Sequence, residues 1–186
     1  MKKQVRVIGI DDSPFKKFKK GNVLVIGTIF RGGDFMDGVL STKAAVDGSN
    51  STSKIINMIN KCKFKPQLQA IFLDGIALGG FNIIDVQKVH KETKLPVIVV
   101  VRRKPDIENI KNILKHIGMA KKIKLIEKAG NVIKINNVYC QLTGLTEEDA
   151  SKLLKITCTH SYIPEPLRIA HLIAAGVVKG ESSGRA

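Results

Sequence analysis

Three short runs, QVRVIGI (residues 4–10), LQAIFL (68–73) and LPVIVVV (95–101), are largely apolar without a sustained polar alternation. Successive strand residues point to opposite faces, so such runs need cover on both sides of a sheet. Helices packed on both faces supply that cover, and the helical segments that alternate with these runs point to an α/β architecture. Between the first run and the second lie NVLVIGTIF (22–30) and FMDGVLSTKAAV (35–46), joined by the turn RGGD, and these read with the first run as an antiparallel meander. The period then changes. NSTSKIINMINKC (50–62) sets Ile55, Ile56, Ile59 and Cys62 on one helical stripe. FNIIDVQKVHKE carries helical spacing before the third run, and Pro105 opens the helix DIENIKNILKHIG, closed by Gly118. A shorter MAKKIKLIEKA follows, then a hairpin of NVIKI and VYCQLTG turning at Asn136–Asn137. Glu147 to Ile156 reads as a helix capped by Thr146, and EPLRIAHLIAAG as a last helix with Pro166 in its first turn. The expected fold is a mixed sheet of at least five strands with helices on both faces. Right-handed crossovers set the fourth strand beside the first and parallel to it.

The 186 residues are 44% hydrophobic and contain no apolar run long enough to span a bilayer, which predicts one globular domain over 1–176 and a tail over 177–186. The N-terminal apolar run breaks at Asp11, unlike a signal peptide, so a cytoplasmic location and no membrane partner are expected. Cys62, Cys140 and Cys158 are odd in number and widely spaced, which predicts reduced core residues rather than disulfides or a zinc knuckle. Lys and Arg outnumber Asp and Glu by 31 to 16, a net charge of +15 that attracts polyanions, nucleic acid foremost.

Against that positive charge, two runs end in acid: VRVIGI in Asp11–Asp12 and AIFL in Asp74. If the two strands are parallel neighbours, Asp11 and Asp74 stand side by side, about 5 Å apart, at the sheet edge where open sheets bind ligands. Asp47, after the third strand, joins them only if the following helix folds back. Each of these aspartates alone also fits a turn, since Asp bonds nearby backbone N–H groups and Asp–Gly dipeptides turn readily. Gathered carboxylates repel unless one is protonated or a cation neutralises them, and an oxygen donor set points to Mg²⁺ or Mn²⁺. Such a site activates water for phosphodiester cleavage. Asp11, Asp47 and Asp74 are therefore the expected catalytic and metal-binding residues.

The segments GIDDSPF, DFMDGVL, VDGSNST, FLDGIALGGFNIIDV, PVIVVVRRKPD and IPEPLRIAHLIAAG…GESSGRA resemble the archaeal family labelled domain of unknown function ninety-nine over essentially the whole chain. That family is similar to endonuclease V, so the resemblance implies a ribonuclease H-like fold with an acidic metal site acting on nucleic acid. It matches Asp11 to the first-strand aspartate of that enzyme, Asp74 to the fourth-strand aspartate, and Asp47 approximately to a glutamate. Arg102 or Arg103 falls near a basic position. The chain departs from the enzyme after Asp74–Gly75, where Gly79-Gly80-Phe81-Asn82 replace a histidine and proline. No proline–tyrosine wedge lies between Phe35 and Gly48, and Asn50 stands where the archaeal family commonly has acid.

Four lysines in FKKFKK, namely Lys16, Lys17, Lys19 and Lys20, interleave with aromatics and suit a phosphate backbone, though such blocks also form solvated loops. Arg102 and Arg103 end the third run at the ligand edge and suit phosphate. Arg168 and His171 share a helical face, the first as an anion binder and the second as a proton carrier. The nucleic-acid set is thus Lys16, Lys17, Lys19, Lys20, Arg102, Arg103, Arg168 and His171, for DNA or RNA. A Mg²⁺/Mn²⁺-dependent nuclease is the leading function. A non-catalytic nucleic-acid-binding protein on the same scaffold, or a nucleotide-binding regulatory domain, are the alternatives.

Overall fold

Burial is nearly continuous along the central strands of the computed structural model, which describes residues 4–16 and 19–182. The meander forms from β1 (Arg6–Asp12), β2 (Asn22–Arg31) and β3 (Phe35–Ala45). Helix α1 (Ser51–Asn60) crosses to β4 (Ala70–Asp74), and a two-stranded hairpin, β5 (Ala77–Leu78) and β6 (Asn82–Ile83), occupies the glycine-rich segment. Then come α2 (Val86–Thr93), β7 (Val97–Val101), α3 (Ile107–His116), α4 (Ile123–Lys128), β8 (Ile133–Ile135), β9 (Val138–Thr143), α5 (Glu147–Thr157) and α6 (Glu165–Lys179). The main sheet has seven strands in the order β3-β2-β1-β4-β7-β9-β8. As expected, β4 is parallel to β1, pairing Ile10 with Leu73, and β7 is parallel to β4. The β8–β9 hairpin turns at Asn136, whose φ of 53° is the left-handed conformation that such a turn needs.

Local chemistry sets the helix boundaries. Asp106, rather than Pro105, sets the start of α3 as its N-cap, because its side chain accepts from the Asn109 N–H. Thr146 does the same for α5 through Asp149 N–H. The last helix runs on to Lys179, into the segment expected as a tail.

Alternation divides the core between the two faces. Ile8, Ile10, Ile71, Leu73, Val97 and Val99 pack beneath α1 and α2, against Ile55, Ile59, Val86 and Val89. Val7, Phe72, Ile98 and Val100 face the opposite way, against Leu153 and Leu154 of α5 and Leu167 of α6. The cysteines are free, with Cys62 and Cys140 buried and Cys158 half-buried. Among the described residues no helix is long and apolar enough to cross a membrane.

The seating of α6 positions the site. A Cβ on Gly9 would lie 2.4 Å from the Pro166 carbonyl carbon and 2.5 Å from the Leu167 nitrogen, so only glycine lets the helix rest on β1. Thr28 Oγ1 donates to the Pro166 carbonyl at 2.6 Å and locks the contact. Further along, Ala170 and Ala174 lie against Ile26 with their small side chains.

Candidate metal centre

From Leu167, one helical step of four residues advances about 6 Å and returns to the same face of α6. From Gly9, two residues along β1 advance about 6.6 Å and return to the same face of the strand. These steps match, so His171 arrives over Asp11. The His171 Nδ1 lies 2.9 Å from Asp11 Oδ2. Because Ile10 pairs with Leu73, the following residues, Asp11 and Asp74, stand opposite each other on the α6 side of the sheet. One donor atom from each of Asp11, Asp74 and His171 lies within 4.8 Å of the other two.

The adjacent carboxylates at the end of β1 have separate tasks. Asp11 is buried, and its Oδ1 accepts from the Asp12 N–H at 2.7 Å. Asp12 points to the other face, where its Oδ2 accepts from the Gly79 N–H at 2.5 Å. Burial, opposed by that hydrogen bond and reinforced by Asp11, pushes the Asp12 carboxyl up to about 6. Asp74 is pushed up to about 7, first by burial and then by the Asp11 charge, with His171 and Arg102 pulling the other way. A carboxyl held near neutrality in this way marks a place short of positive charge.

The structure does not bring Asp47 to this group. Its backbone is left-handed, with φ 54°, and its Oδ1 accepts from the Phe81 N–H at 2.9 Å. The carboxylate presses so closely on Gly80 that a Cβ there would lie 2.4 Å from Oδ1. The Asp47 N–H donates to Gly79 O, so one loop, 79–81, touches both Asp47 and Asp12. Lys122 holds this loop from outside. Its ammonium donates to the carbonyls of Asp47 at 3.0 Å, Gly48 at 2.6 Å and Phe81 at 2.7 Å, and burial lowers its pKa.

The basic residues separate similarly. Arg168 is turned toward Glu165, with Nε 3.0 Å from both carboxylate oxygens and Nη2 2.8 Å from Oε2. Glu165 is buried and needs that charge, so Arg168 is committed within the helix rather than presented to the acidic edge. Arg102 and Arg103 are exposed at the end of β7, with Arg102 near enough to favour ionised Asp74. Lys16, Lys19 and Lys20 are exposed between β1 and β2, and Lys17 lies outside the described residues.

Sequence reasoning gave His171 a part in proton transfer and nucleic-acid contact, and missed it as a third donor beside the aspartates. The available signal was Gly9, since a glycine inside a strand marks a close backbone approach. Asp12 and Lys122 carried no signal, because their partners are backbone groups brought in by tertiary folding.

The architecture belongs to the endonuclease V class of folds. It is similar to the crystal structure of Ciona intestinalis endonuclease V in complex with a DNA containing an inosine followed by a ribo-adenosine, with a TM-score of 0.61 over 96% of this chain and 87% of that one at 16% identity. A crystal structure of a protein of unknown function from Archaeoglobus fulgidus has a TM-score of 0.86, at 41% identity over 93% of this chain and 97% of that one. The UPF0215 protein of Methanothermobacter thermautotrophicus is 45% identical over 100% of this chain and 94% of its own length. Residues 3–178 match the endonuclease dU family, and the chain belongs to that family.

Proposed function

We propose that this chain is a divalent-metal-dependent endonuclease that hydrolyses a phosphodiester bond of DNA or RNA at Asp11, Asp74 and His171. One observation carries the reading: three donors from β1, β4 and α6, far apart in sequence, converge within 4.8 Å of one another. Two carboxylates and an imidazole fit Mn²⁺ or Mg²⁺, and the raised pKa of Asp74 fits a group that gains a cation partner. When bound, the ion supplies charge to the phosphoryl oxygens and lowers the pKa of a water. The chain's own residues do the positioning. Asp12 N–H fixes one oxygen of Asp11 and His171 borders the other. Arg102, whose charge favours ionised Asp74, is the cation for the scissile phosphate. Asp47 acts indirectly, by ordering the 79–81 loop that donates to Asp12.

The family description names dU, which makes deoxyuridine, a deaminated nucleoside, the first base to offer. The test uses end-labelled strands, as DNA and as RNA, with the DNA carrying one deoxyuridine or one deoxycytidine at the same position, with Mg²⁺, Mn²⁺ or EDTA. Metal-dependent cutting that disappears in Asp11→Asn and Asp74→Asn supports the reading. Salt-sensitive binding with no cutting under any metal would favour the non-catalytic binding protein instead.

A further inference from the structure

Beside the metal centre lies an open cleft of about 730 Å³, bounded by the β1–β2 loop, β3 and the end of α6. Its apolar floor includes Phe15, Leu24, Val46, Val177 and Val178. Two of these, Val177 and Val178, are 66% and 50% exposed at the end of a helix, where a soluble surface ordinarily carries polar groups. Around this floor stand Lys16, Lys19, Lys20 and Lys43, all exposed, and none of the described lining residues is acidic. We infer that this cleft binds the unpaired flank of a nucleic-acid strand, with lysines on successive phosphates and base faces on the apolar floor.

The combination selects the ligand. A duplex offers phosphates outward and keeps its bases stacked, so it would satisfy the lysines and leave Val177 and Val178 in water. A single strand offers both phosphates and base faces. An acidic protein segment would match the charge but offers no aromatic faces at regular spacing. Continuity with the metal centre supports the same occupant. Ser13 to Phe15 follow Asp11 and Asp12 directly, and Val177 lies six residues beyond His171 on α6, about 9 Å along the axis. That span corresponds to about three nucleotides at the stacked rise of one strand, ~3.4 Å each.

The inference rests on the endonuclease reading for its choice of polymer, and its test separates the two. Binding is measured by fluorescence anisotropy in EDTA on the Asp74→Asn background, where cleavage plays no part. The probes are a labelled 20-mer single strand and the same sequence as a duplex, each titrated over a range of salt, with a polyglutamate peptide as competitor. The quadruple variant Lys16→Ala, Lys19→Ala, Lys20→Ala and Lys43→Ala is expected to lose at least tenfold in single-strand affinity. Its slope of log K against log salt should flatten by about 2.8 if each lysine neutralises one phosphate. Val177→Ser with Val178→Ser should weaken single-strand binding severalfold, leaving the salt slope and duplex binding unchanged. Circular dichroism and melting temperature confirm folding of each variant. The inference is overturned if the quadruple variant binds the single strand within twofold of its parent, or if duplex and single strand lose affinity equally. Displacement of the strand by polyglutamate at equal concentration would also overturn it, assigning the cleft to an acidic protein partner.

Discussion

Replacing Asp74 with Asn is expected to stabilise this protein at pH 8 and leave it unchanged near pH 4. The Asp74 carboxyl is pushed from an ordinary value of 3.8 up to about 7, chiefly by burial and by the charge of Asp11. A carboxyl whose folded pKa lies above its unfolded one takes up protons preferentially in the native state. Its contribution is therefore fully favourable below about pH 4, where both states are protonated, and is lost as pH rises toward 7. Three pKa units at about 1.4 kcal/mol each give an upper bound of about 4 kcal/mol. For a chain of this length that corresponds to on the order of 10 °C in melting temperature. Asparagine resembles the protonated carboxyl and escapes the loss. The assay is thermal unfolding of both proteins between pH 4 and pH 8, in EDTA and then with Mn²⁺. The gap should open across that interval in EDTA and close with Mn²⁺, because the ion replaces the missing positive charge only in the parent. A gap that does not vary with pH, or an Asn variant less stable at pH 8, would show that Asp74 carries no such burden of charge.

Three further outcomes follow from the packing around the site. Gly9→Ala forces a methyl group into the Pro166–Leu167 backbone and should cost about 1–3 kcal/mol in urea unfolding. It should also weaken Mn²⁺ binding by shifting His171 away from Asp11. Arg168→Ala leaves the buried Glu165 carboxylate without its bidentate partner and should destabilise by about 3 kcal/mol, measured by urea unfolding at pH 7.5. Lys122→Met releases three backbone carbonyls and should cost about 1–3 kcal/mol, with faster amide hydrogen exchange at Gly79 and Phe81 than in the parent.

Much of the fold was legible because it depends on period. The two-sided apolar runs predicted β1, β4 and β7, and the parallel pairing of β1 with β4 follows from crossover handedness. The placement of Asp11 opposite Asp74 follows from that pairing alone. The third donor was harder to see, because it depends on which helix lies over β1, and helix packing leaves only a trace in sequence. Here the trace was Gly9 inside a strand. The Glu165–Arg168 pair was readable from its i, i+3 spacing, but the notion of Arg168 as an anion binder treated the residue apart from its neighbour. Asp47 needed a condition that the chain does not meet: its left-handed turn directs the carboxylate into the 79–81 loop. The Asp47–Gly48 dipeptide offered that turn as the plainer reading, whereas the three carbonyls gathered by Lys122 are set by tertiary geometry that no local pattern records.

The most direct measurement of the proposed metal centre is an anomalous difference map from a crystal soaked in Mn²⁺. A single strong peak is expected between the carboxylates of Asp11 and Asp74 and the ring of His171, lost in crystals of Asp74→Asn. A map with no peak there, and His171 still held against Asp11, would contradict it.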